Sequence, residues 1–575
     1  MWKLYKTYYS FLYKYRFRFL SFMVLVLLWG LSEAVIPYFY KLFVDAIPSG
    51  DYQLLLKILI AYAGLYVVEI ILNAGSIFVG DTFLLPAARD ARVAVFKKIQ
   101  DLDFAFHLTK STGSLISAIK RGDQAFFSIH HIINVRMTRI FVNFVVMTIF
   151  FTSLNSSLLG IMAVTFAINI SLAFLLIRYN MRTRKEFNEA EDDVSAVIVD
   201  NLLNYETVKL FAKEDKELSH LRSRFQSWLQ KLWLFANSFR LIDLGVGAIS
   251  NTGLFLVLFI GLGQTIRGEL TGGEYIAMLG YVSVFYYRFF ELIYELRNFA
   301  KHHVDLVKYF SWLPLKEQVK DPAEPVTLEN VKGKIKFENT SFSYPEGKQG
   351  AIRDFDLTIK PGQSVAFVGH SGAGKTTVTK LLMRFYDPNS GKITIDGVDL
   401  KKMTKSHLRS HMGVVPQEPI MFNNTIAFNI AYGALDVTEE KIIEAAKMAN
   451  LHDFISTMPK AYKTNVGERG VKLSGGQKQR LAIARMILSD PEIIIFDEAT
   501  SQLDSESEKL IQDAFWKAAK GKTTLIIAHR LSSITKAEKI VVMEDGEIRE
   551  IGSHKQLLTK KSSLYKKFWQ LQTVG

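Results

Sequence analysis

Ser364-Val-Ala-Phe-Val-Gly369-His-Ser-Gly-Ala-Gly-Lys-Thr-Thr377 is the stretch that decides the fold of this chain. Its apolar start is typical of a buried strand, and it leads straight into a glycine-rich loop and then a helical run, Val378–Phe385. In such a strand–loop–helix unit, glycines let backbone N–H groups surround phosphates, and the helix N-terminus favours negative charge. The stretch therefore predicts an α/β nucleotide-binding domain of the P-loop type.

The loop also supplies the groups that hold a nucleotide and its metal ion. Lys375 is expected to reach the β- and γ-phosphates, and the Thr376 hydroxyl to ligate Mg²⁺. The residues predicted to contact the nucleotide here are Gly369, Ser371, Gly372, Gly374, Lys375, Thr376 and Thr377.

Far downstream, Glu492-Ile-Ile-Ile-Phe-Asp-Glu498 is an apolar strand that ends in two acids. Asp497 is expected to hold Mg²⁺, directly or through water, and Glu498 to orient or deprotonate the attacking water. A buried strand can end in two carboxylates by chance, but together with the P-loop this pattern predicts hydrolysis of a nucleoside triphosphate.

Composition divides the chain into two halves. It has 575 residues, 49% of them hydrophobic, a net charge of +14 and no cysteine, which excludes disulfides and thiolate chemistry. A strongly basic chain can bind nucleic acid. In the first half, however, Lys and Arg lie mainly between long apolar runs, so we expect a membrane protein that does not bind nucleic acid.

Six runs are long and apolar enough to cross a membrane, which takes about 20 residues. They are Phe19–Tyr40, Leu54–Val79, Phe126–Phe151, Leu158–Ile177, Phe235–Ile266 and Tyr275–Phe299. The connections alternate between short and long, and the long ones are rich in Lys and Arg, which places them, the N-terminus and the second half in the cytoplasm. Trp2–Arg18 is predicted to be a helix on the membrane surface. No cleavable signal or transit peptide is apparent, so we expect a multi-pass protein of a bacterial plasma membrane.

A charged, Pro-rich stretch at Pro314–Pro325 marks the domain boundary. We therefore predict a multidomain membrane protein. Its all-α domain of six transmembrane helices covers residues 1–314, a linker covers 315–334, and an α/β P-loop ATPase domain covers 335–575, starting with a strand at Ile335–Tyr344.

Charged residues inside the spans are functional candidates by default. They are Glu33, Glu69, Arg136, Arg139, Arg240, Asp243, Arg288, Glu291, Glu295 and Arg297. The alternative is that they pair with one another, and that those of the last span lie in a cytosolic extension. An aromatic stripe in that span is more typical of helix packing than of a ligand platform; it comprises Tyr281, Phe285, Tyr286 and Phe289.

Lys472-Leu-Ser-Gly-Gly-Gln-Lys-Gln-Arg480 completes a family pattern. A Leu-Ser-Gly-Gly-Gln motif at the start of a basic helical run is the signature of ATP-binding-cassette (ABC) proteins, and with the P-loop, the two acids and the six spans the whole chain resembles an ABC exporter. The resemblance implies ATP and Mg²⁺ as cofactors. In this family, the signature caps the ATP that a second cassette holds.

Further roles follow from the resemblance alone. Tyr344 resembles the aromatic residue that stacks on adenine, Gln417 the residue that senses Mg²⁺ and the γ-phosphate, and His529 the switch histidine. The signature and D-loop residues expected to act across a dimer are Ser474, Gly475, Gly476, Gln477 and Asp504. Thr112–Asp123 and Asn204–Phe211 resemble the two intracellular loops whose short helices dock on the cassettes.

Because both halves of the composite site are intact, the resemblance implies a homodimer of about twelve spans, with a heterodimer as the alternative. Closure of the two cassettes around ATP would turn the membrane cavity outward. The favoured cargo is amphipathic, lipid-like or multidrug. Glutathione- or peptide-linked cargo and siderophore-type import remain alternatives, although Asp243–Ser250 departs from the Phe-Gly-Gln pattern common in the glutathione-linked subfamily.

Overall fold

The computed structural model describes residues 2–110, 112–154, 156–344, 350–434, 437–497, 505–528 and 531–573. The chain divides into two compact units. Met1–Asp101 with Lys110–Leu315 forms the first, and Leu102–Thr109 with Lys316–Gly575 forms the second. The second unit therefore takes in an eight-residue insert from the first half of the chain and the stretch that the sequence suggested as a linker.

In its described residues, the first half of the chain consists of helices joined by short turns and loops. Its helices are α1 (Trp2–Tyr13), α2 (Arg16–Ala46), α3 (Tyr52–Asp101), α4 (Phe104–Thr109), α5 (Thr112–His130), α6 (Thr138–Leu154), α7 (Ser156–Leu203), α8 (Tyr205–Leu210), α9 (Glu214–Ile266) and α10 (Gly272–Phe310). A π-helical turn, His131–Met137, joins α5 to α6 within one span. Among the described residues, six helices are long and apolar enough to cross a membrane, which confirms the predicted six-span domain.

These helices are longer than the predicted spans. The helix containing the second span runs over 50 residues and that containing the fifth over 53, whereas about 20 residues cross the hydrocarbon core. The N-terminal helix α1 forms as predicted. Tyr8 is fully buried within the first unit, and its hydroxyl donates to the carbonyl of Phe126 at 3.2 Å. The position of α1 on a membrane surface stays a prediction.

Intramembrane charges from three helices form one ion-pair network. Glu33 of α2 accepts hydrogen bonds from Arg139 of α6 at 2.6 Å and from Arg288 of α10, which also pairs with Glu291. The guanidinium of Arg139 also lies 3.7 Å from the ring centroid of Trp29. Mutual pairing, one of the two interpretations open from the sequence, therefore describes these groups.

Two other features of the last span follow the sequence interpretation. Arg136 pairs with Glu295, which is almost fully buried. The four aromatic residues of the stripe are all buried and pack in the helix core. Packing, rather than exposure to a ligand, explains the stripe.

The second unit contains two sheets. Its strands are β1 (Ile335–Phe342), β2 (Ile352–Ile359), β3 (Ser364–Val368), β4 (Ser390–Ile395), β5 (Val398–Asp399), β6 (Met412–Val415), β7 (Ile493–Asp497), β8 (Thr523–Ile527), β9 (Lys539–Glu544) and β10 (Glu547–Gly552). One sheet has the order β2-β1-β4-β5 and is antiparallel. The other has the order β10-β9-β3-β8-β7-β6, in which only β10 pairs antiparallel.

Helices cover the parallel sheet. They are α11 (Lys375–Leu382), α12 (Lys405–Ser410), α13 (Ile426–Ala431), α14 (Glu439–Met448), α15 (His452–Ser456), α16 (Gly475–Leu488), α17 (Ser505–Ala519), α18 (His554–Thr559) and α19 (Leu564–Thr573). This arrangement confirms the predicted α/β fold. The helix after the P-loop ends at Leu382 rather than Phe385, because Arg384 adopts a φ of +53° and its guanidinium donates to the carbonyls of Met403 and Lys320.

Candidate nucleotide-binding site

The glycine-rich loop lies between β3 and α11, as its sequence predicts. Gly374 precedes the helix with a φ of +98°, and a Cβ atom there would lie 2.7 Å from the carbonyl oxygen of Ala351. A Cβ atom at Gly369 would lie 2.2 Å from the carbonyl oxygen of Met543. Both positions therefore require glycine, and the loop closes tightly over the N-terminus of α11.

Lys375 is buried at the first position of α11. Its ammonium group donates to the carbonyls of Gly369 at 2.7 Å and His370 at 2.9 Å, which holds it across the mouth of the loop. Burial lowers the pKa of Lys375, and the nearby carboxylate of Asp497 opposes this shift. A cation fixed beside the free N–H groups of a helix N-terminus is suited to binding phosphate oxygens.

Tyr344 lies next to the same helix. Its hydroxyl is 3.2 Å from the hydroxyl of Thr377, and its ring packs edge-on against Tyr386 with centroids 5.2 Å apart. The ammonium group of Lys380 lies 5.7 Å from the ring centroid of Tyr344. These contacts fix the ring beside the loop, where a planar base could stack on it.

The remaining site residues come from neighbouring parallel strands. Asp497 ends β7 and is paired in register with Ile527 of β8, which also pairs with Phe367 of β3. Gln417 follows β6, and its carbonyl accepts a hydrogen bond of 2.7 Å from Gln479 of α16. The carboxyl ends of parallel strands meet at one sheet edge, so Asp497 and the P-loop share that edge. Glu498, Asp504 and His529 lie outside the described residues, and their roles stay predictions.

The Leu-Ser-Gly-Gly-Gln motif forms the N-terminus of α16. The Ser474 hydroxyl caps the N–H of Gln477, and the Gln477 side chain returns a 2.8 Å contact to the Ser474 N–H, which makes a capping box. Ser474 and Gly475 are exposed, whereas Gly476 is buried. The free N–H groups at the start of α16 therefore face outward, where they can meet an anion from another molecule.

The short helix α4 belongs to the ATPase unit, although the sequence predicted the docking segment at Thr112–Asp123. The ring of Phe104 in α4 stacks on Phe385, which follows the P-loop helix, with centroids 4.6 Å apart. The carboxylate of Asp103 accepts the N–H groups of Gln318 and Val319. The first-loop prediction, Thr112–Asp123, is wrong in position, because that stretch forms α5 of the first unit. The break between α3 and α5, filled by two Phe residues after an Asp, was the available signal.

In the second long loop, α8 falls within the predicted stretch Asn204–Phe211. Its apolar side chains are largely exposed, with Leu210 75% and Phe211 69% accessible. Apolar side chains at this exposure are suited to contact another surface.

Comparisons with known proteins cover both units. The family model described as "ABC transporter" matches residues 352–501, and that described as "ABC transporter transmembrane region" matches residues 19–289. The structure of a bacterial Atm1-family ABC exporter with ATP bound aligns with a TM-score of 0.84 and 31% identity, over 97% of this chain and 98% of that one.

Two curated proteins show the same likeness. ATP-binding cassette sub-family B member 6 of Rattus norvegicus is 35% identical over 85% of this chain and 58% of its own length. The mitochondrial iron-sulfur clusters transporter ABCB7 of Homo sapiens is 34% identical over 83% of this chain and 64% of its own length. The chain thus spans about three-fifths of the length of these two relatives.

Proposed function

The chain belongs to the ABC transporter family, with a multi-pass transmembrane domain and an ATP-hydrolysing domain, and on this premise we propose that it works as a homodimeric, ATP-driven exporter. One observation supports the proposal of a dimer. The signature residues Ser474 and Gly475 are exposed at the N-terminus of α16, while the P-loop, which follows β3, holds Lys375 at the start of α11. Two copies related by a two-fold axis would bring each signature to the other's P-loop.

The roles of the site residues follow from their surroundings. Lys375 binds the β- and γ-phosphates, and the ring of Tyr344 stacks on the base. Thr376, Asp497 and Gln417 offer hydroxyl, carboxylate and amide oxygens, the donors that Mg²⁺ accepts beside phosphates. When bound, Mg²⁺ neutralises charge on the phosphates.

Hydrolysis is assigned to Glu498, which orients or deprotonates the attacking water. We expect Glu498→Gln to bind ATP and to hydrolyse it at least about 10²-fold more slowly in lipid nanodiscs. Glu492→Gln, at the residue that precedes β7, is the matched control and should keep its turnover. A Glu498→Gln protein with near-normal turnover would remove this residue from the mechanism.

Mixing two inactive variants tests the dimer. Lys375→Ala destroys the P-loop and Ser474→Arg destroys the signature, so either homodimer should be inactive. A mixed dimer keeps one intact site only if each site combines residues of two chains. Equal coexpression should then restore about one quarter of wild-type turnover, because half of random dimers are mixed and each keeps one of two sites. Absence of any recovery would argue against composite sites.

Coupling of hydrolysis to transport would use the two docking helices. The contacts of α4 with Phe385 and with the stretch around Val319 tie it to the ATPase unit of its own chain. The exposed side chains of α8 would contact the ATPase unit of the partner. Movement of the cassettes would thus pull on long helices from both chains.

The cargo proposal rests on a cavity in the membrane unit. A cavity of about 310 Å³ lies between the third and sixth spans, toward the side predicted to be cytoplasmic. Its lining includes His131, Arg136, Tyr294, Glu295, Asn298 and His302. Groups of both charge signs beside aromatic rings suit an amphipathic cargo, which is the cargo that we favour.

The names of the relatives favour a second candidate. Heavy metal tolerance factor 1 of Caenorhabditis elegans and the iron-sulfur clusters transporter are named for heavy metals and iron-sulfur clusters, which favours a metal-linked cargo. We expect one of three cargo classes, lipids, glutathione conjugates or hydrophobic cations, to stimulate ATPase activity in nanodiscs. Asn298→Ala should raise the concentration needed for half-maximal stimulation by that class. Transport into inside-out vesicles, rather than into right-side-out vesicles, would establish export over import.

The membrane itself is also a proposal. The distribution of Lys and Arg supports a cytoplasmic ATPase unit, and we favour a bacterial plasma membrane. One relative is named as mitochondrial, so an organellar membrane is the alternative.

A further inference from the structure

The helix α19 is fixed firmly at its N-terminal end. The carboxylate of Glu550 in β10 accepts the Ser563 hydroxyl at 2.8 Å and the Tyr565 N–H at 3.3 Å, and it pairs with Lys560. The hydroxyl of Tyr565 lies 2.8 Å from Nδ1 of His554. Tyr565 is itself fully buried in the core. These contacts anchor one end of α19 to the edge of the sheet.

Beyond its anchor, the helix directs two side chains at loops of the nucleotide site. Positions 565, 568 and 572 recur at the spacing of one helical face. The ring of Phe568 meets the imidazole of His370 edge-on, with centroids 4.7 Å apart. One turn further along, the side-chain oxygen of Gln572 accepts the N–H of Leu531 at 2.8 Å. Neither contact involves Glu550 or His554, the residues that hold the other end of the helix.

Both contacts involve residues close in sequence to predicted residues of the nucleotide site. His370 belongs to the P-loop, and its carbonyl accepts the Lys375 ammonium at 2.9 Å. Leu531 begins a short 3₁₀ helix and follows His529 by two positions in sequence. The N–H groups at the start of a helix lack partners within it, so the acceptor on Gln572 fixes the start of this segment.

We propose that α19 is a positioning element of the ATPase site, in which Phe568 orients the P-loop through His370 and Gln572 orients the segment after the switch histidine. This inference rests on the proposed function, because it takes Lys375 as a nucleotide-binding residue and His529 as the switch histidine that the family resemblance implies. The two side chains act on different steps. Phe568 supports binding of ATP, whereas Gln572 supports the arrangement that hydrolyses it.

Steady-state kinetics of the full chain in nanodiscs separates these roles. Gln572→Ala removes the hydrogen bond to the Leu531 N–H and should lower kcat by about twofold to tenfold with little change in the KM for ATP. Phe568→Ala removes an edge-on ring contact and should raise the KM by a similar factor. Gln572→Glu keeps an acceptor oxygen and should restore most of the kcat. Lys567→Ala, at an exposed position of the same helix, is the matched control and should leave both constants unchanged.

The melting temperature of each variant is measured alongside the kinetics. Unchanged kcat in Gln572→Ala and unchanged KM in Phe568→Ala would overturn the proposal. Equal losses in Gln572→Ala and Gln572→Glu, in step with lower melting temperatures, would also overturn it by showing a purely structural role. If Lys375→Ala retains the wild-type affinity for ATP, the proposed function fails instead, which is a separate result.

Discussion

Replacing Glu33 by Gln should weaken the membrane unit more than the loss of any surface charge. The carboxylate of Glu33 serves two guanidiniums, those of Arg139 and Arg288. The substitution keeps the shape of the side chain and removes its charge. The guanidiniums of Arg139 and Arg288 then remain, and among the described residues Glu291 is the one acid that still forms an ion pair with either of them.

The magnitude follows from the burial of the three side chains. Those of Arg288 and Arg139 are only 4% and 16% exposed, whereas that of Glu33 is 22% exposed. Removing one partner of a buried ion pair costs about 3–5 kcal/mol. Because Glu33 is partly accessible, we expect the lower end, about 3 kcal/mol. For a unit of roughly 300 residues, this is a fall in melting temperature of about 5 °C.

Thermal unfolding of the purified protein in nanodiscs measures the effect. Glu269→Gln is the control, since Glu269 pairs with Arg267 at 2.6 Å but both side chains are at least half exposed, and the substitution should leave the melting temperature nearly unchanged. The double variant Glu33→Gln/Arg288→Gln removes one charge of each sign and should recover part of the loss. The reasoning is refuted if Glu33→Gln melts within about 1 °C of Glu269→Gln.

Three other predictions concern the ATPase unit. Phe104→Ala removes the stack on Phe385 and should reduce cargo-stimulated turnover by about tenfold or more while ATP binding persists, as nucleotide titration would show. Ser474→Ala breaks the capping box with Gln477 and should cost about 1 kcal/mol of stability besides lowering turnover. Thermal unfolding of Ser474→Ala in the Lys375→Ala background, which is expected to be inactive, would measure the stability change separately from the change in turnover. Burial raises the pKa of Glu550, but hydrogen bonds to its carboxylate outweigh burial and hold that pKa below its ordinary value of 4.5. Its stabilising effect is therefore present above pH 4.5 and lost as the pH falls below it; acid titration of stability should be flatter in Glu550→Gln.

Most of the correct predictions of the fold came from local sequence motifs. The P-loop could be placed at Gly369–Thr377 because a strand, a glycine-rich loop and a helix are adjacent in sequence, and the structure has them at β3 and α11. The six spans could be identified because a lipid environment demands long apolar runs. Each of these features depends on residues within about 20 positions of one another.

Contacts between segments that are far apart in the chain could not be predicted from local sequence motifs. The sequence offered no reason for α4, rather than Thr112–Asp123, to join the ATPase unit, because Phe104 and Phe385, whose rings stack, lie far apart in the sequence. It could not choose between function and mutual pairing for Glu33, whose partner Arg288 is 255 positions away.

The sequence by itself determined that this chain crosses a membrane six times and carries a P-loop ATPase, because spans and P-loops are recorded in local patterns of residue type. Only the tertiary structure decided which charges neutralise one another in the spans, which segment of the first half packs with the ATPase unit, and that α19 contacts both the P-loop and the segment after His529. Those contacts depend on packing between elements far apart in the chain, and side-chain packing leaves no periodic or compositional mark on the sequence.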